Sequence, residues 1–315
     1  MDAFAGCTGH DAARNLLGRQ LETGRLAHAY LFVGEPALGK TTVARALAAA
    51  LLPEARLERH PDYWEDDRPD ALKIDEVRLL PEKLEHHAQS LQAFLSQKPA
   101  VATHRVALIA NVGRLADPIQ GILLKTLEEP HPGRVIVLTS PSLSPFVVLP
   151  TVVSRCQRVA FHPVPTPQVE ALLRGRGVAA DAAAQLAAIS RGRPGWALRA
   201  AADPAVAEYH ERWARRLEEL FGAPADAALA LAAELDQANM DWRRSKRESE
   251  EPVQLALGAW QLHLRRHMVD APQPRQAAWA HLLEQSYDTL GHLEQNVSPR
   301  LALEVFLLEA RRAPV

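Results

Sequence analysis

Gly34 and Gly39, separated by four residues and followed by Lys40, Thr41 and Thr42, have the spacing with which a chain cradles phosphate. The two glycines let the backbone turn tightly and approach an oxyanion with no side chain in between. The loop's N–H groups and the start of a following helix supply partial positive charge. Lys40 would reach the outer phosphates, and Thr41 would offer a hydroxyl to magnesium. Gly34, Gly39, Lys40, Thr41 and Thr42 are therefore the expected phosphate-site residues. The chemistry needs a strand feeding the loop and a helix leaving it. The apolar run Tyr30, Leu31, Phe32, Val33 supplies the first, and the alanine-rich stretch from Thr42 to Leu52 supplies the second.

Hydrolysis needs more than the loop. The apolar run from Arg105 to Ala110 reads as a buried strand, and the magnesium-holding carboxylate of a phosphate-loop nucleotidase sits at such a strand's C-terminal end. Here that end reads Ala110-Asn111, and neither residue has a carboxylate. Magnesium is left with a hydroxyl and water, so ATP is expected to be weakly held if it is held at all.

Other groups invite chemistry less strongly. His60, His86, His87 and His104 lack the carboxylate or cysteine spacing of a metal site, so no metal is expected and they read as surface or packing residues. Cys156 has no visible base beside it and reads as a small packing residue. Lys125, Glu128 and Glu129 read as charges on a helix surface and end. The run Arg243, Arg244, Ser245, Lys246, Arg247 could touch DNA, but Glu248, Glu250 and Glu251 follow at once and favour a solvated helix end. Trp196, Trp213, Trp242, Trp260 and Trp279 lie in helical patterns and read as core or interface anchors.

These residues must be positioned by a chain of 315 residues, longer than one core usually serves. With 47% hydrophobic and 23% charged residues and a net charge of -2, it reads as an ordinary soluble chain without a dominant basic face. No signal peptide or membrane span is expected, and Cys7 and Cys156 are too few and too distant for a disulfide scaffold. A reducing, cytoplasmic setting follows as an expectation. A leading helix precedes the first strand. A loop and short strand occupy 53–70, and a helix starts at Lys73 with Asp75 as its N-cap. A helix over 118–129, a strand over 135–139 and a strand closing at Val159–Phe161 complete an α/β alternation, the pattern of a parallel sheet. Past Pro163 the pattern is helical throughout. The expected domains are an α/β phosphate-loop domain over 1–162, a small helical domain over 163–203 and an all-helical domain over 204–315.

Five stretches together resemble one family. They are His28-Ala29-Tyr30-Leu31-Phe32, the phosphate loop, Leu123-Leu124-Lys125-Thr126-Leu127-Glu128-Glu129-Pro130, Thr151-Val152-Val153-Ser154-Arg155-Cys156-Gln157, and the segment from Leu293 to Glu304. They look like the bacterial DNA polymerase III clamp-loader subunits of the AAA+ superfamily. The resemblance implies an AAA+ domain, a lid and an oligomerising collar. It also implies motor (tau/gamma) and delta subunits as partners in a pentameric ring that loads a sliding clamp onto primed DNA.

The departures side with the delta prime branch over the motor branch. The motor has acids where this chain has Ala110 and Asn111, and a nucleotide-sensing arginine where this chain has Gly195. Many relatives hold zinc through four cysteines after the phosphate loop, but this chain has no cysteine from Leu51 to Asp75, so no zinc is expected there. By the same resemblance Arg155 is an arginine finger supplied in trans to a neighbour's ATP. On spacing alone, an arginine salt-bridged within its own domain is the competing reading. The rival function is an autonomous AAA+ ATPase.

Overall fold

Strands of four to seven residues, separated by helices, build the first part of the chain. The computed structural model describes residues 3–52, 56–68, 72–79, 84–129, 131–245, 252–295 and 297–313. The chain opens on α1 (Asp11–Thr23), β1 (Ala29–Val33) and α2 (Lys40–Leu51), followed by β2 (Tyr63–Asp66) and two short helices, α3 (Ile74–Val77) and α4 (Leu91–Ser96). Next come β3 (Arg105–Ile109), α5 (Asp117–Glu128), β4 (Arg134–Ser140), α6 (Pro150–Val153) and β5 (Gln157–Ala160). Three helices follow: α7 (Thr166–Gly175), α8 (Ala180–Ile189) and α9 (Pro194–Ala202). The last five are α10 (Pro204–Glu218), α11 (Ala225–Ser245), α12 (Pro252–Asp270), α13 (Gln273–Glu294) and α14 (Pro299–Ala310). The chain divides into two compact units, Met1–Ala197 and Leu198–Val315, so residues 163–197 group with the α/β elements.

The described strands form one parallel sheet in the order β2-β3-β4-β1-β5. Strands covered by helices on both faces carry near-continuous apolar runs, as β1 does throughout and as β3 (Val106–Ile109) and β4 (Val135–Leu138) do between polar ends. Their alternate residues supply two different cores. Tyr30, Phe32, Val106, Leu108, Val135 and Val137 pack on one side with Leu17, Val43 and Leu47. Leu31, Ala107, Ile109, Ile136 and Leu138 pack on the other with Leu91, Phe94, Leu123 and Leu127. The α/β phosphate-loop fold expected from sequence is the one observed. One local reading is corrected: α3 is a single turn whose N-cap is Lys73, not Asp75. The Lys73 N–H donates to Glu76 Oε2 at 3.0 Å, and this contact sets the helix start.

In the second unit the interior is built on aromatic anchors. Trp213 and Trp260 are fully buried, the Trp260 indole donates to the Trp213 carbonyl at 2.7 Å, and Trp260 stacks on Phe306 at 5.6 Å. Leu217, Leu257, Leu303 and Leu307 complete that core. The basic-then-acidic run beginning at Arg243 lies outside the described residues from 246 to 251. Among the described residues, no helix is long and apolar enough to cross a membrane.

The edge of the sheet is closed by one buried acid. Asp62, just before β2, is inaccessible and accepts N–H bonds from Ala100, Val101 and Ala102 at 2.7, 2.8 and 3.0 Å. It also pairs with Arg105 Nε at 3.2 Å, while Arg105 Nη1 donates to the Phe94 carbonyl. Asp62→Ala should therefore cost about 3–5 kcal/mol, the usual effect of stranding a buried charge. Thermal unfolding followed by circular dichroism checks this, and a loss under about 1 kcal/mol would mean the three N–H groups find other acceptors.

Candidate phosphate site and exposed arginine

The phosphate loop leaves β1 between the ends of β4 and β5. Gly34 N–H donates to the Ser140 carbonyl at 3.2 Å, and Phe161 N–H donates to the Val33 carbonyl at 2.7 Å. Gly34 has φ +155°, and a Cβ there would lie 2.3 Å from the Phe161 carbonyl oxygen. Only glycine fits. Ala37 and Gly39 take left-handed conformations, so the loop folds back on itself before α2 starts at Lys40. The first N–H groups of α2 have no intrahelical acceptor and face the concavity an anion would fill.

Lys40 is 8% exposed and its ammonium donates to the Gly34 carbonyl at 2.5 Å and the Glu35 carbonyl at 2.7 Å. Burial pushes its pKa down to about 8, against the smaller opposing pull of Glu35. Thr41 is half-buried and Thr42 exposed. A contact that sequence did not suggest steadies the loop from outside: the His10 ring reaches the Leu38 carbonyl at 2.7 Å and packs on Phe161. The Lys40 ammonium is thus held by two carbonyls of its own loop.

Beside the loop, the end of β3 is held by hydrogen bonds to its backbone. At the end of β3, Asn111 adopts a left-handed conformation, and its N–H donates to Thr139 Oγ1 at 2.8 Å. Arg114 Nε donates to the Ala110 carbonyl at 2.9 Å, so a guanidinium lies against the backbone at the end of β3. Asp66, in register with Ile109, has a fully buried carboxylate paired with Arg114 and Arg68 and bonded to His87 at 2.8 Å. Burial opposes its ionisation, but the bonds from His87 and Arg68 and the charge of Arg114 hold its pKa down to about 2. That carboxylate is already committed to cations of the chain. No local pattern connects Arg114 with Asp66, which lie 48 residues apart.

Gly195 meets the loop directly. Its N–H donates to the Ala37 carbonyl at 2.9 Å, and a Cβ would come 3.0 Å from that oxygen. The position that carries a sensing arginine in the motor branch is here a backbone contact, anchored by the buried Trp196.

Arg155 lies elsewhere. Gln157 pairs with Tyr30 and Ala160 with Val33, so β5 runs parallel to β1 and Arg155 precedes its N-terminal end. The phosphate loop leaves from the opposite end, beyond the roughly 13 Å length of a four-residue strand. Arg155 Nη1 donates to the Thr151 carbonyl at 2.9 Å, and Nη2 pairs with Glu128 at 2.5 Å. This is the intradomain ion pair that spacing alone suggested. Its partners are 33% and 48% exposed, so it is a surface pair. Beside it lies an open apolar groove of about 530 Å³ lined by Leu143, Pro145, Pro150, Val153 and Cys156. Burial pushes the Cys156 thiol up to about 12, which leaves it protonated and poorly nucleophilic. Of the histidines, His60 accepts the Asp62 N–H and is buried, His87 stacks on Trp64, and His86 is exposed.

Residues 9–165 match the sequence pattern of a family described as "DNA polymerase III, delta subunit". The delta' subunit of DNA polymerase III from Pseudomonas aeruginosa is 31% identical over 194 residues, covering 53% of this chain and 54% of that protein. The tau subunit from Escherichia coli is 30% identical over 177 residues, covering 50% of this chain and 25% of that protein. The chain thus spans about half, or less, of the relatives it matches. A solved gamma subunit-related protein of DNA polymerase III from Thermotoga maritima superposes with a TM-score of 0.48 at 18% identity, covering 96% of this chain and 99% of that one.

The buried lysine has a measurable signature. An unfolded chain holds its Lys40 proton up to about pH 10.5, while the folded one releases it near 8. Between those values the unfolded state binds more protons, so this group's contribution to stability rises with pH and is least below about 8. Lys40→Met removes that slope. Between about pH 8 and about pH 10 the parent should gain roughly 2 kcal/mol relative to the variant in urea unfolding. Parallel stability profiles would mean that Lys40 titrates as an ordinary lysine.

Proposed function

We propose that this chain, whose residues 9–165 match a DNA polymerase III delta-subunit family and resemble a delta' subunit, works as a non-hydrolysing member of a clamp loader. Its second, helical unit would join a pentameric ring with motor (tau/gamma) and delta subunits. The assembly would spend ATP bound by the motor subunits to load a sliding clamp onto primed DNA in replication. Arg155 would act in trans on the adjacent motor subunit's ATP.

The observation that carries this reading is the position of Arg155. Its side chain is half-buried with its guanidinium at the surface, and it stands at the end of the sheet opposite the chain's own phosphate loop. That placement suits a neighbour's nucleotide and not this chain's. A guanidinium near a γ-phosphate neutralises charge that develops in the transition state, and its planar fork suits the task better than a lysine. The ion pair to Glu128 is no obstacle. Exposed pairs are worth about 0–1 kcal/mol, whereas a finger contributes on the order of 10³ or more in rate, roughly 4 kcal/mol. Glu128 would hold Arg155 in one rotamer until the neighbour docks, and the apolar groove beside it would be covered by the same contact.

The phosphate loop would bind ATP weakly or serve only as architecture. Support comes from Arg114 at the end of β3, which sets positive charge where a divalent cation would need an acid. A complete phosphate loop also favours a second reading, an autonomous motor ATPase, and the tau relative is as similar as the delta' one.

Two measurements separate the readings. The purified chain alone should show no magnesium-dependent ATP turnover; turnover that disappears in Lys40→Ala would establish the motor reading instead. In a ring reconstituted with parent partner subunits, Arg155→Ala should lower hydrolysis at the adjacent site by on the order of 10³ while assembly persists. A mutant ring that hydrolyses ATP and loads clamps at the parent rate would remove Arg155 from the mechanism.

A further inference from the structure

Among the described residues, one group of three metal-capable side chains converges, and it lies in the helical unit far in sequence from the phosphate loop. Glu218 ends α10, while His263 and His267 stand one turn apart on α12 and so share a face of that helix. We propose that Glu218, His263 and His267 form a zinc-binding site that ties α10 to α12, with water completing the coordination.

The distances match the chemistry. His263 Nε2 lies 3.0 Å from His267 Nε2, and Glu218 Oε1 lies 3.4 Å from the first and 3.9 Å from the second. Zinc bonds imidazole nitrogen at about 2.0–2.1 Å and carboxylate oxygen at about 2.0–2.2 Å, which puts tetrahedral ligand atoms about 3.3–3.5 Å apart. The three atoms here bracket that spacing and need shifts of only tenths of an ångström. Two imidazoles and one carboxylate also form a ligand set that leaves one position open. A simple hydrogen bond between the two rings would account for the 3.0 Å contact alone. It would not require the Glu218 oxygen to close a triangle with both nitrogens.

The rings are held before any ion arrives. His263 lies parallel to Phe221, and His267 lies parallel to Trp279 at 4.5 Å with 18° between the planes. Phe221 and Trp279 themselves meet at 5.4 Å, so aromatic walls back the site. The opposite side is open: the His267 side chain is 37% exposed and that of Glu218 52%, giving zinc an entry path. His263 and His267 have the i, i+4 spacing of a helical metal pair, but Glu218 comes 45 residues before His263, and no local pattern connects them.

The site is independent of nucleotide chemistry, so its test is as well. The tag-free full chain, stripped with a chelator, is titrated with zinc chloride by calorimetry and melted with and without the metal. We expect one zinc per chain at micromolar affinity or tighter, no comparable binding of magnesium, and a rise in melting temperature on adding zinc. Glu218→Gln and His267→Gln change accessible side chains, and with parent-like circular dichroism each should weaken zinc by at least roughly tenfold. His263→Ala should abolish saturable binding. Absence of a one-to-one isotherm would overturn the site, as would folded Glu218→Gln and His267→Gln variants that bind zinc like the parent.

Discussion

The close approach of Gly34 to the Phe161 carbonyl is the constraint on which the first unit depends. No side chain can occupy the 2.3 Å that a Cβ would have there, so the end of β5 can lie against the loop only while residue 34 is glycine. With that contact made, Gly34 N–H reaches the end of β4, and the loop is held by two neighbouring strands at once. The turn then drops Lys40 into a nearly closed position, where the loop's own carbonyls replace its water. The start of α9 settles on Ala37 because Gly195 also lacks a side chain. Each step follows from excluded volume at one point, and the lowered pKa of Lys40 is its electrostatic result.

The ends of the sheet carry two arginines with opposite fates, and burial decides between them. Arg114 is paired with a carboxylate that has no exposure and accepts from two further groups. Breaking such a pair leaves an uncompensated buried charge at about 3–5 kcal/mol, so it is a permanent part of the fold. Arg155 pairs with an exposed glutamate, and water replaces either partner at little loss. One guanidinium is therefore structural and the other is free to be recruited. The same residue type beside the same sheet is held differently because the dielectric around it differs.

Much of this was legible along the chain. Strand runs such as Val135–Leu138 and Val106–Ile109 announced themselves because strands buried on both faces are continuously apolar. The phosphate loop was legible because its glycines, lysine and threonines are neighbours in sequence. The loss of the acid at Ala110 and Asn111 was legible for the same reason. The one-turn α3 was misread, since Asp75 is a good capping residue type but Glu76 reached back to Lys73 first. Short helices such as α3 and α4 carry too few residues for periodicity to place their ends.

What the sequence by itself determined is the set of local instructions: where strands and helices form, that a phosphate loop joins β1 to α2, and that no acid follows β3. Tertiary structure alone decided which distant groups face one another. Arg114 meets Asp66 from across 48 residues. Arg155 rests on Glu128, and Glu218 meets His263 and His267, only once helices far apart in the chain have packed. Periodicity and spacing report on a residue's own element, since backbone geometry repeats over a few residues. Pairing between elements is set by packing of whole faces, which no short window of sequence contains.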